Sequence, residues 1–157
     1  METSQRFEIP LNARAVTPDW LTKVLRANGV IGGSRVLRVE PTQIGMFQNE
    51  LWRFDIEYDV AVSDAPAAVV GKWPRPEARE RTAMGFGTEI RFYDKVAPRL
   101  SQRMPRAFFG RTDPGRGLAL LLVEFVGGLR PVSFREGVEA VHSQRAVEAL
   151  AAMHSRW

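Results

Sequence analysis

The sequence of 157 residues contains no cysteine, and histidine occurs only at positions 142 and 154. The missing thiols exclude a disulfide framework, a zinc–thiolate site and a cysteine nucleophile. Long apolar runs are also absent. The longest, residues 118–126, is interrupted by Glu124 and is far shorter than the ~20 residues of a membrane span. The polar N-terminus lacks the apolar region of a signal peptide, so we expect a cytoplasmic protein with no membrane partner.

Lysine is scarce in an otherwise basic chain. Of the 22 basic residues, 19 are arginine, and the lysines are Lys23, Lys72 and Lys95. The net charge of +4 favours a solubilising arginine-rich surface, but it is also compatible with an anionic ligand such as a nucleotide or with nucleic acid. Lys23 and Lys95 fall on patterns typical of exposed helices. Lys72 instead ends the apolar run of "AAVVGKW", which predicts a buried strand.

Hydrophobic periodicity predicts an α+β fold of one domain. Alternating apolar and polar residues indicate antiparallel strands, and apolar residues three and four positions apart indicate helices. The predicted strands are 35–45, 50–60, 67–73, "MPRAFFGRT" and "GLALLLVEF", and the predicted helices lie over 17–29, within 77–100 and over 134–157. Gly85 and Gly87 weaken the middle helix, which could start as late as Thr88. The expected architecture is a five-stranded antiparallel sheet with one main packed helix, flanked by an N-terminal and a C-terminal helix.

Lys72 requires a partner if it points inward. Side chains alternate along a strand, so Lys72 shares a face with Val70, and an unpaired charge there would be costly. Glu89 lies inside the apolar stripe of the middle helix, between Phe86 and Tyr93. We therefore predict a Lys72–Glu89 pair that could hold a phosphate group. Alternatively, Lys72 ends an edge strand and reaches water.

Three segments carry a resemblance to a known family. These are "AAVVGKWPRPEARERTAMGFGTEIRFYDKVAPRL", "LALLLVEFVGG" and "ALAAMHSRW". With them, residues 17–157 resemble the N-terminal lobe of the aminoglycoside phosphotransferase family and its ecdysteroid- and choline-kinase-like relatives, which have a protein-kinase-like fold. The first segment is similar to the family's third strand, its lysine and the following helix.

The resemblance implies an ATP-binding lobe that works with Mg²⁺. Lys72 matches the lysine that binds the α- and β-phosphates of ATP, and Glu89 matches the helix glutamate that orients it. Glu124, Phe125 and Val126 match the hinge that meets the adenine edge, although these three also fit a plain strand end. The implied reaction transfers the γ-phosphate of ATP to a hydroxyl group of a small molecule.

Two features depart from the family pattern. The phosphate-covering loop should follow the first strand, where Gly45 is present but Met46 and Phe47 replace small residues. The reaction also requires a catalytic aspartate in an H-x-D loop and a second aspartate for Mg²⁺. Neither histidine of this chain is followed by such an aspartate. We therefore expect no catalytic residue and no metal ligand in this chain, and no phosphate transfer by the chain alone.

The expected organisation is a kinase-like N-lobe over 1–126, followed by a hinge and the first helix of a C-lobe over 127–157. Apolar residues of the last helix, Val147 and Leu150 among them, predict an interface with a missing C-lobe, another chain or a second copy. Two alternatives remain open. One is a non-catalytic nucleotide-binding or protein-interaction module, similar to a pseudokinase. The other, less favoured, is a nucleic-acid-binding domain that uses the arginines around Phe108 and Phe109.

Overall fold

A computed structural model describes residues 6–46, 49–75, 79–128 and 137–155. Its centre is one five-stranded, wholly antiparallel sheet in the order β1-β2-β3-β5-β4. The strands are β1 (Val36–Met46), β2 (Asn49–Tyr58), β3 (Ala68–Pro74), β4 (Ala107–Asp113) and β5 (Leu118–Glu124). The predicted five-stranded antiparallel sheet and the α+β class are thus confirmed.

The first helix, α1 (Pro18–Ala27), begins and ends where its sequence predicts. The Thr17 side chain accepts a hydrogen bond from the backbone N–H of Trp20 at 3.2 Å, which satisfies a donor that the helix itself cannot pair. The chain leaves the helix through Gly29, whose φ of +66° is a left-handed conformation that favours glycine. Leu21, Val24 and Leu25 point into the core.

The face of the sheet that α1 covers, called the α1 face below, contains most of the core. Side chains from alternate positions of the central strands meet there, so that Phe54 of β2 and Val69 of β3 are both fully buried. Trp73 of β3 and Leu120 and Leu122 of β5 extend the same cluster. Burial of large apolar side chains is the main favourable contribution to folding, so this face supplies most of the stability.

The second helix, α2 (Arg79–Arg91), packs on the opposite face, called the α2 face below. It continues through a wider π-helical turn, Phe92–Val96, and a short 3₁₀ turn, Ala97–Arg99. A start as late as Thr88 is therefore wrong: the helix includes Gly85 and Gly87, because packing of Phe86 against the sheet outweighs their poor helix propensity. The predicted stop at Pro98 falls within the 3₁₀ turn.

The third helix, α3 (Ala140–His154), begins later than position 134, the predicted start. Gly137 has a φ of +71°, which does not belong to a helix, and residues 134–136 lie outside the described ranges, as does most of the predicted "GGLRP" break. Val147 and Leu150 on α3 are 65 % and 48 % exposed. None of the helices in the described ranges is both long and apolar enough to cross a membrane.

Candidate functional site

Lys72 and Glu89 lie together on the α2 face. The Nζ of Lys72, near the end of β3, donates a hydrogen bond to Oε2 of Glu89 in the last two turns of α2, at 2.6 Å. The two side chains retain 25 % and 36 % of their exposure. The pair is therefore half-buried and still open to solvent from one side, and within the described chain no other acceptor binds Nζ.

The position of Glu89 follows from the way α2 is anchored. Phe86, three residues earlier, is 2 % exposed and packs against Ala119 and Leu121 of β5. Leu121 lies directly opposite Lys72 in the sheet. Because residues three apart share one side of a helix, burying Phe86 beside Leu121 places Glu89 over Lys72. The ring of Phe86 also lies 5.6 Å from the Lys72 ammonium, close enough for a cation–π interaction.

Tyr93 completes the inner side of this helix and senses the charge of Glu89. Burial raises the pKa of the Tyr93 hydroxyl, and the nearby Glu89 carboxylate raises it further. A negative charge beside a phenol opposes formation of the phenolate. The Tyr93 hydroxyl therefore stays protonated around neutral pH, and its titration reports on Glu89.

The predicted hinge divides between the two faces of the sheet. Glu124 pairs in register with Val69, and its side chain accepts hydrogen bonds from the backbone N–H of Arg106 at 3.1 Å and from Arg103 at 3.4 Å. Val69 belongs to the α1 face, so the Glu124 carboxylate is directed away from Lys72. Only the backbone of Glu124 is left to contribute to a ligand site on the α2 face.

Phe125 and Val126 continue the chain beyond β5, and the alternation of side chains puts Phe125 on the side of Lys72. The backbone N–H of Phe125 donates to the carbonyl of Ala68 at 3.3 Å, which extends the β3–β5 pairing by one residue. Pairing then stops. The half-buried Val126 donates its backbone N–H to no acceptor within the described residues. Among the described residues it is the first backbone N–H after β5 that the sheet does not pair.

Gly45 lies in β1, two strands away from Lys72. It is opposite Leu51 of β2, which is opposite Lys72 of β3. At a strand spacing of about 4.8 Å, the Gly45 backbone is therefore roughly 10 Å from that of Lys72. A methyl group added at Gly45 would meet Leu51 in ordinary van der Waals contact at 3.4 Å. Residues 47 and 48 of the predicted phosphate-covering loop lie outside the described ranges.

Arg53 and Asp55 form a further charged pair on this face, which the sequence pattern did not predict. Arg53 of β2 binds the carboxylate of Asp55, with Nε to Oδ1 at 3.0 Å, and its guanidinium lies 4.5 Å from the ring centroid of Phe125. The strand's alternation placed Arg53 and Asp55 on one face, but both residue types are common on solvated strands. Only the fold brings them to the hinge.

The basic and aromatic segment offers no stacking surface. Phe108 and Phe109 are 3 % and 0 % exposed in the core, and Phe109 packs edge-on against Trp20 with ring centroids 5.2 Å apart. Arg106 covers Phe108 at 5.6 Å and donates to the carbonyl of Asn28 at 2.7 Å. Bases stack on exposed aromatic rings, so these two rings do not favour the nucleic-acid alternative.

A cavity of about 400 Å³ lies elsewhere, between the end of α2 and β4, with Tyr93 and Arg106 in its wall. Neither Lys72 nor Glu89 lines it. Within the described ranges, no three or more His, Asp or Glu side chains converge in a way that could hold a metal ion.

No protein-family model, no curated protein and no solved structure matches this sequence.

Proposed function

We propose that this chain binds the phosphates of a nucleoside triphosphate through Lys72, as the ATP-binding lobe of a small-molecule phosphotransferase. The observation that carries the proposal is the 2.6 Å contact between Lys72 on the third strand and Glu89 on the helix after it. Protein kinases use a lysine on their third strand, paired with a helix glutamate, in the same role. The family resemblance of the sequence points to the same pair.

The chemistry of the pair fits a phosphate ligand. An ammonium group has three N–H donors, and Glu89 accepts one of them. The carboxylate and the nearby ring of Phe86 fix the position of the charge without covering it, since a quarter of the lysine side chain stays exposed. Two donors therefore remain for oxygens of a phosphate chain, which lysine binds as a compact point charge.

The hinge provides the second half of the proposed site. Val126, two residues past the end of β5, has a backbone N–H with no acceptor among the described residues. A nucleotide with phosphates at Lys72 and its base edge at Val126 would lie along the α2 face, beneath β2 and β3. Such a ligand would be held by charge at one end and by a directional hydrogen bond at the other.

The proposed reaction transfers the γ-phosphate of ATP to a hydroxyl acceptor. It requires an aspartate that accepts the hydroxyl proton and carboxylates that hold Mg²⁺, and the H-x-D pattern for them does not occur in this sequence. The role proposed for these residues is therefore to bind and orient ATP. The exposed Val147 and Leu150 on α3 favour the second candidate, a nucleotide-binding module that acts through a bound partner.

Calorimetric titration of the chain with ATP tests the proposal, with a matched control inside the molecule. Lys23 on α1 also binds a carboxylate at 2.6 Å, that of Asp19, but on an exposed helix surface. Lys72→Met should weaken ATP binding by at least about tenfold, the loss of one charge-assisted contact worth ~1.4 kcal/mol or more. Lys23→Met removes the same charge from a similar pair and should leave the affinity unchanged.

The Lys72 variant must also keep its fold for the result to count. A half-exposed ion pair contributes at most about 1 kcal/mol to stability, so the melting curve should shift little. Glu89→Gln should weaken ATP binding less than Lys72→Met, because the lysine remains. Equal losses in the Lys72 and Lys23 variants, or no ATP binding by the unmodified chain at millimolar concentration, would reject the proposal.

A further inference from the structure

The guanidinium of Arg53 and the ring of Phe125 form a stack on the α2 face. The guanidinium carbon lies 4.5 Å from the ring centroid, and Oδ1 of Asp55 accepts hydrogen bonds from Nε and Nη2 of the same guanidinium. The Arg53 and Asp55 side chains are 38 % and 43 % exposed, so the stack lies at the surface of the face and not in the core. A guanidinium is planar and stacks on aromatic faces, so Arg53 can offer a broad surface to a flat ring.

The strand register gives the position of this stack relative to Lys72. Arg53 is opposite Val70, which is two residues before Lys72 on the same face of β3, and Val70 is opposite Val123 of β5. Two residues along a strand span about 7 Å. The stack therefore lies about 7 Å from the Lys72 row, in the direction of Phe125 and the end of β5.

A nucleotide bound as proposed would have to use the space that the Phe125 ring fills. Its phosphates lie at Lys72 and its base edge at Val126, so its base passes beneath Arg53 and Val70. The Phe125 ring now occupies the aromatic position under Arg53. A purine is also a flat π system of comparable width, and it can stack on a guanidinium in the same way.

We propose that the Phe125 ring is a displaceable occupant of the base subsite, and that the Arg53 guanidinium is the platform on which a purine base stacks in its place. This inference rests on the proposed function. Asp55 keeps the platform oriented when the ring leaves. The ring and the base compete for one surface, so the ring weakens the binding of nucleotides and leaves the binding of a bare phosphate chain unaffected.

The competition between the ring and the base should change the nucleotide affinity by a predictable factor. When a binding-competent state has population f, the apparent dissociation constant rises by a factor of 1/f. If the ring covers Arg53 about nine-tenths of the time, its removal strengthens nucleotide binding on the order of tenfold. Removal of Arg53 has the opposite effect, because the base then loses its platform.

The experiment compares ATP with inorganic tripolyphosphate, which has the phosphates and no base, by calorimetry on the full chain. Phe125→Ala should strengthen ATP binding on the order of tenfold and leave tripolyphosphate binding unchanged. Phe125→Leu, which keeps apolar bulk and loses the π face, should strengthen ATP binding by a smaller factor. Arg53→Leu should weaken ATP binding by more than it weakens tripolyphosphate binding.

Arg38 provides the matched control for Arg53. It lies on the neighbouring strand, binds the carboxylate of Glu40 two residues on, and has no aromatic partner among the described residues. Arg38→Leu removes the same charge from a similar pair and should affect the two ligands equally. If Arg53→Leu also affects them equally, Arg53 acts by charge alone and the platform is rejected.

Failure of the displaceable ring and failure of the proposed phosphate site would give different results. In one outcome, Lys72→Met weakens the binding of both ligands, but Phe125→Ala leaves the ATP affinity unchanged or reduces it. This outcome would support the phosphate site and reject the displaceable ring. Binding of neither ligand to any variant, or binding that is insensitive to Lys72→Met, would reject both. ATP binding by the unmodified chain that becomes clearly tighter in Phe125→Ala, with tripolyphosphate binding unchanged, would support the inference directly.

Discussion

The two faces of the sheet are packed in different ways. On the α1 face, buried apolar residues from all five strands, α1 and the N-terminal segment form one continuous cluster. On the α2 face, the described residues form a smaller buried cluster of Phe86, Ala119 and Leu121, and the positions beside them carry charged pairs that reach solvent. Apolar burial stabilises the fold, whereas half-exposed charged pairs contribute little to it. One face can therefore hold the domain together and leave the other free to bind a ligand.

The N-terminal segment strengthens this division by covering the α1 face. Three side chains donate hydrogen bonds to its backbone: Trp20 to Glu8 at 2.9 Å, Trp73 to Pro10 at 3.0 Å and Arg111 to Phe7 at 2.6 Å. They come from α1, β3 and β4, so the segment is fixed from three directions. The contact from Trp73 also satisfies the carbonyl of Pro10, which is buried and would otherwise lose water without gaining a partner.

The largest expected effect is the difference in stability loss when one buried ring is removed from each face. Phe54→Ala on the α1 face should lower the free energy of unfolding by about 3–5 kcal/mol, because a fully buried ring leaves a cavity in a tightly packed cluster. Phe86→Ala on the α2 face should have a smaller effect, about 2–3 kcal/mol, because α2 can settle towards the sheet. Urea unfolding measures both. A larger loss in the Phe86 variant would contradict the comparison.

Two glycine substitutions, one on each side of the sheet, should change the free energy of unfolding in opposite directions. A methyl group at Gly71 would lie 2.4 Å from the Trp73 ring and 2.9 Å from the Phe54 ring, both of them buried. Trp73 cannot move away without breaking its bond to Pro10. Gly71→Ala should therefore lower the free energy of unfolding by about 1–3 kcal/mol.

Gly85 of α2 is the matched control, because nothing lies within 4 Å of an added methyl group there. Gly85→Ala should raise the free energy of unfolding by up to about 1 kcal/mol through better helix propensity. Thermal melting of the two variants distinguishes them by the sign of the change in Tm. A stabilised Gly71 variant would show that the Trp73 ring is not held in place.

Much of the fold could be predicted from the sequence, because its signals are local. Alternation along β1 and β2, the cap at Thr17 and the glycine at position 29 depend on near neighbours alone. The start of α2 could not be predicted this way. The two glycines argue against a helix locally, and only the contact of Phe86 with β5 overrides them.

In the candidate site, the Lys72–Glu89 pair could be predicted because each of its residues lies in a regular strand or helix. Strand alternation and helical spacing are enough to direct Lys72 and Glu89 towards each other. The stack of Arg53 with Phe125 was not predictable, since it joins β2 to the residue after β5 across β3. Such a contact depends on the strand order, and no local pattern specifies that order.

The smallest expected effect uses the two tyrosines of the chain, one on each face. Burial raises the pKa of Tyr58, on the α1 face, to about 12, and its hydroxyl donates to the carbonyl of Pro66 at 2.9 Å. The pKa of Tyr93, on the α2 face, is raised by burial and then by the charge of Glu89. Both pKa values are raised on folding, so their contribution to stability is complete below pH ~10 and is lost as the pH rises further.

Glu89→Gln should therefore act on one tyrosine only. Loss of the carboxylate charge should lower the pKa of Tyr93 towards its value from burial alone, and leave Tyr58 unchanged, because no Glu89 contribution acts on Tyr58. Ultraviolet titration of the phenolate in a Tyr58→Phe background isolates Tyr93, and the Tyr93→Phe background isolates Tyr58. Equal shifts in both backgrounds would mean that the substitution loosens the whole domain. A shift of Tyr93 alone would place the Glu89 charge at the α2 face in solution, where the Lys72 pair needs it.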